Sequence, residues 1–72
     1  MNTQHKKIAY SVACIAEFAK LHQINLQESF RYLYHFKAIE FLKENYDIEH
    51  LLPFETVMED LNLICQKNGG VL

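Results

Sequence analysis

Ahead of Pro53 the sequence has neither a proline nor a glycine, and its two glycines, Gly69 and Gly70, stand near the end. Hairpin-rich architectures need such residues throughout. No Asn-Gly or Asp-Gly pair separates two β-rich runs, and alternation at period two never persists, so strands have no signal. Clustered base is also missing. Seven basic residues face nine acidic ones for a formal charge of -2, and the longest basic block is Lys6 and Lys7. Affinity for nucleic acid rests on grouped Lys and Arg, which places a phosphate-binding surface low among the expectations. No uncharged run approaches the roughly eighteen residues needed to cross a bilayer. The opening MNTQHKKIAYSVACIAEFAK has the outline of a signal peptide, but Glu17 and Lys20 interrupt it and no small-residue cleavage site follows. The expectation is a soluble cytoplasmic protein. Cysteine is scarce: Cys14 and Cys65 each fall inside an apolar helical pattern, which points to two buried free thiols rather than a disulfide framework or a metal site.

What is present is apolar and helical. Half of the 72 residues are hydrophobic. A chain this short makes one domain, residues 1–72, in which burial and chain entropy nearly cancel and almost every apolar side chain needs cover. Ile8, Val12, Ile15 and Ala19 repeat at helical spacing beside a second row of Cys14, Phe18 and Leu21. Tyr10 and Ala13 widen that face further. The pattern predicts a first helix over about Gln4 to Leu21, central and the most buried of the set. Asn25 and Glu28 then form a capping-box pair for a short second helix with Leu26, Phe30 and Leu33 inward.

The stripe then slips by two residues. Its continuation would fall on Lys37, Glu40 and Glu44, whereas the next apolar row is Ile39, Leu42 and Tyr46. This predicts a break near His35 to Lys37 and a third helix over about Lys37 to Tyr46. A fourth helix opens at Pro53, suited to the first helical position, with Glu55 in its first turn. It carries Phe54, Val57, Met58, Leu61, Ile64 and Cys65 inward and stops at Asn68 to Gly70. The fold class is all-α, a small single-domain bundle of about four helices.

The order F-L-x-E-N-Y-D-x-E-H at Phe41 to His50, followed by a short acidic helix and ICQKNGG at Ile64 to Gly70, resembles a family of short bacterial helical domains of unknown function. The matching positions are Tyr46, Asp47, Glu49 and His50, with the Gly69 and Gly70 stop. The resemblance implies an intracellular bacterial protein of about this length. Members of that family tend to be encoded beside other small proteins, some beside predicted toxins of the ADP-ribosyltransferase type. It implies no activity.

Asp47, Glu49 and His50 hold the ingredients of acid-base chemistry or of a metal site, yet their spacing offers at most two ligands on one face, and His5, His22 and His35 are scattered. No catalytic residue, metal ligand, cofactor or small-molecule substrate is expected, and the chain is read as a non-enzyme. The apolar residues left over by the periodicity are more informative. Leu51 and Leu52 precede Pro53, Leu63 falls off the inner row of the fourth helix, and Val71 and Leu72 follow its stop. A patch of Leu51, Leu52 and Leu63, rimmed by Tyr46, Asp47 and His50, would suit a protein interface. The expected function is a protein-interaction module, forming a homodimer or serving as an accessory or antitoxin-like partner of a neighbouring gene product. The alternative is a helix-turn-helix nucleic-acid binder using the second and third helices, weakened by Glu40 and Glu44 beside Lys37 and Lys43.

Overall fold

The computed structural model describes residues 3–72 and holds five helices: α1 (Thr3–His22), α2 (Leu26–His35), α3 (Ala38–Glu44), α4 (Tyr46–Glu49) and α5 (Phe54–Lys67). No strand occurs among the described residues. The all-α expectation therefore holds, with four helices of seven residues or more and one additional turn of helix, α4. Helices α1, α2, α3 and α5 pack around one core built on Cys14, Phe18, Leu33, Leu42, Val57 and Leu61. No helix among the described residues is long and apolar enough to cross a membrane.

Each boundary has a local cause. At the end of α1, Gln23 takes a left-handed conformation (φ 55°), its N–H reaches the Lys20 carbonyl, and the Ile24 N–H reaches the Ala19 carbonyl at 3.0 Å. That is a Schellman closure built without glycine. The capping box at the head of α2 forms as expected: the Glu28 N–H donates to Asn25 Oδ1 at 2.8 Å, and the Asn25 N–H donates to Glu28 Oε1 at 3.1 Å. Between α2 and α3 the chain turns on Phe36 and on Lys37, which is left-handed at φ 72°, so the predicted break lies where the stripe slips.

The third helix is shorter than predicted. Asn45 ends it, with both its N–H and its Nδ2 donating to the Phe41 carbonyl, and its own carbonyl then accepts from Ile48 and Glu49 to start α4. Pro53 stands one residue before the first helical residue of α5, and its carbonyl accepts from Val57. The glycine stop behaves as read. Gly69 is left-handed (φ 100°), and the Gly69 and Gly70 N–H groups close on the Gln66 and Cys65 carbonyls. A Cβ at Gly70 would collide with the Tyr32 hydroxyl, which also accepts a hydrogen bond from the Leu72 N–H and so ties down the tail.

Two inner faces are rotated from the sequence expectation. On α1 only Cys14, Phe18 and Ala19 are buried, whereas Ile8, Val12 and Leu21 are exposed, so the helix is not the most enclosed one. At 100° per residue the covered face is centred between the two apolar rows, near Ser11, Phe18 and His22, and Ile8 and Val12 fall at its edge. On α2 the buried pair is Ser29 and Leu33, while Leu26 and Phe30 are exposed. Ser29 is the reason. Its small side chain faces α1, and its hydroxyl donates to the Ile15 carbonyl at 2.8 Å, which turns the bulkier Leu26 and Phe30 out to the rim. Ile8 and Val12 of α1 and Phe30 of α2 are left exposed along one common hollow.

Candidate functional site

The aromatic end of the predicted surface is assembled by α4. Tyr46 and His50 are four residues apart, and their rings stack with centroids 4.3 Å apart and planes 7° apart. His50 Nδ1 lies 2.6 Å from the Tyr46 carbonyl oxygen, so this nitrogen carries the proton and donates it, closing α4. Tyr10 of α1 meets both rings edge-on, at 5.6 Å from Tyr46 and 6.4 Å from His50. Tyr46 is half-buried, and Asp47 and His50 are exposed beside it.

The leucines divide. Leu51 is 75% exposed, with Ile48 exposed one turn before it and Phe54 three residues after it. Leu52 packs against the core instead. Leu63 is 59% exposed, but it stands on the side of α5 opposite the buried row, roughly 14 Å along the axis from Phe54. Its neighbours on that side are Thr56, Glu59 and Lys67. Tyr46, Asp47, His50 and Leu51 therefore come together, while Leu52 and Leu63 lie apart from them.

Beside the aromatic cluster lies a group that the sequence analysis weighed for acid-base chemistry but left out of the expected contact surface. Glu49 is only 5% exposed, at the end of α4. Burial, and then the neighbouring Asp60 carboxyl on α5, push it up to about 7. Glu49 Oε1 and the nearby Tyr10 hydroxyl are buried with no hydrogen-bond partner. Burial raises the Tyr10 hydroxyl above its ordinary value, with the Cys14 thiol adding to the effect, and burial pushes Cys14 itself up to about 11. A thiol held protonated at neutral pH is a weak nucleophile. No group of three or more metal-ligating side chains occurs among the described residues. A trace of the inward position was present in the sequence: Leu42, Asn45, Glu49 and Leu52 follow one another at three, four and three residues, all on the inner side of the α3–α4 segment.

A concave surface lies elsewhere. A groove of about 600 Å³ runs between α1, α2 and α3, with Ile8, Val12 and Ile15 along one wall, Phe30 on another and Ile39 from α3. Lys7 and Lys43 are its charged lining, and no acid among the described residues lines it. Ile39 and Lys43 also line a second hollow of about 480 Å³ that extends to Tyr34, Lys37 and Glu40. Phe30 and Tyr34 stack at 5.7 Å and join the two hollows along α2. The signal for this groove was the excess width of the α1 face, since two adjacent apolar rows cannot both be covered by the few short helices available.

The family described as a protein of unknown function, DUF3791, matches residues 9–68. The chain belongs to this family. No curated protein and no solved structure matches it. The DUF3791 match takes in the α4 surface and most of the groove, from Ser11 to Lys43, and begins one residue after Ile8. The family description assigns neither surface a role.

Proposed function

We propose that this DUF3791 chain is a protein-interaction module whose contact surface is the groove between α1, α2 and α3. The observation that carries the reading is the exposure of Ile8 (58%) and Val12 (59%) on the helix with the richest apolar face, beside an exposed Phe30. Single exposed aliphatic residues are ordinary on any protein, but a contiguous apolar cleft in a domain this small leaves water against surface that a partner would cover. The other groups argue for recognition over chemistry. The buried thiols are held in their protonated, weakly nucleophilic form beneath the surface.

The resemblance to short bacterial domains, some encoded beside predicted ADP-ribosyltransferase-type toxins, supports a cytoplasmic accessory or antitoxin-like role toward a neighbouring gene product. The helix-turn-helix alternative is supported less well. Helix α3 buries Ala38, Ile39 and Leu42 and leaves Glu40 and Glu44 exposed beside Lys43, a poor face for phosphates. The test is co-expression with the product of the adjacent gene followed by purification. A complex at equal stoichiometry is the expected result, and a chain that stays alone with every neighbouring product would overturn the reading.

A further inference from the structure

Resting on that reading, the geometry points to the kind of partner: we infer that the groove takes an amphipathic helix of another protein, with acidic residues flanking its apolar stripe. The shape selects a helix. Segment recognition by strand addition needs an open sheet edge, and no strand exists among the described residues. The groove floor instead lies between helices, the arrangement in which a further helix packs its ridge. Its apolar wall from Ile8 to Ile15 covers two turns, about 10 Å, which matches a stripe at i, i+3 or i+4, and i+7 on the incoming helix.

Charge selects the flanks. Lys7 from α1 and Lys43 from α3 supply the formal charge lining the groove, both positive. Thr3 and Gln4 line the same cleft at the start of α1, whose first turn contains no acid to offset the positive end of the helix dipole. A helix with basic flanks would meet like charge at each of these places. A second copy presenting its own α1 is disfavoured for the same reason, because that helix carries Lys6 and Lys7 beside its exposed apolar residues.

The probe is a synthetic amphipathic peptide of about four turns with a leucine stripe and glutamates on both flanks, added to the full chain labelled for NMR. A matched peptide with lysines in place of the glutamates serves as the control. The expected result is saturable shifts at Ile8, Val12, Ile15, Phe30 and Ile39, with the lysine peptide at least ~10-fold weaker. Lys7→Glu with Lys43→Glu should reverse that preference. Helicity should be unchanged in the variant, since both lysines lie at the surface of helices. Equal binding of the two peptides, or no saturable binding of the acidic one, overturns the inference. So do shifts confined to the Tyr46 to Leu51 surface, although that outcome would leave the interaction reading standing. Groove shifts that grow with protein concentration without peptide would make the occupant a second copy and overturn it as well.

Discussion

A carboxylic acid with 5% of its surface exposed and one oxygen unpartnered destabilises a fold unless it keeps its proton, and burial, with the Asp60 carboxyl adding to it, holds the proton on Glu49 to higher pH than usual. Its folded value of about 7 lies above the ordinary 4.5, so the folded state binds more protons than the unfolded state between those values. The contribution is therefore complete below about pH 4.5 and is lost as pH rises through about 7. A shift of this size is worth on the order of 3 kcal/mol. Denaturant titrations at pH 5 and pH 8 should show the wild type losing stability over that interval, and Glu49→Gln, which cannot ionise, should remove most of the loss. An unchanged slope in the variant would place the proton elsewhere. The two thiols give a second residue-scale test. Burial pushes both Cys14 and Cys65 up to about 11, so both should react with a disulfide reagent at pH 8 far more slowly in the folded protein than after denaturation. Their burial was readable from their helical positions. The burial of Glu49 left only a trace in the spacing of Leu42, Asn45, Glu49 and Leu52, because the side chain is turned inward by the Asn45 restart, which depends on three-dimensional closure.

At the scale of the helices, local chemistry and tertiary packing divide the explanation. The Asn25–Glu28 capping box, the slip of the apolar stripe before α3 and the Gly69 stop are set by residues within a turn of one another, and they form where the sequence places them. The inner faces of α1 and α2 depend on how closely two helices approach, and that distance is set by Ser29 reaching the Ile15 carbonyl. No periodicity reports such a contact. The phase of α5, by contrast, was legible, with Leu61 fully buried and Leu63 exposed on the far side. Leu61→Ala should cost about 2 to 5 kcal/mol and unfold much of so small a domain. Leu63→Ala should stay within about 0.5 kcal/mol. Thermal melts of the two variants, monitored by circular dichroism, check the pair, and equal losses would mean that the phase of α5 is wrong.

The whole molecule measures 35 × 22 × 21 Å. A helix of the length of α1 spans about 30 Å, so it sets the long dimension, and the shorter helices cannot cover its full length. Ile8 and Val12 lie in the first half of α1, beside Phe30, which packing has turned outward. The sequence contained this surplus of apolar surface, in the two rows of α1, but assigned it to the core and looked for the interface around Leu51 and Leu63. The structure separates those two leucines and opens a cleft instead. The groove as contact surface is tested most directly by calorimetric titration of the neighbouring gene product with three proteins: wild type, Val12→Glu and Leu63→Glu. Both replaced side chains are exposed on helices, where glutamate is well tolerated. Wild type and Leu63→Glu should bind alike, while Val12→Glu, which places an unpaired charge in the desolvated contact, should bind at least ~100-fold more weakly. Equal binding by Val12→Glu and wild type, with Leu63→Glu the defective protein, would contradict the account.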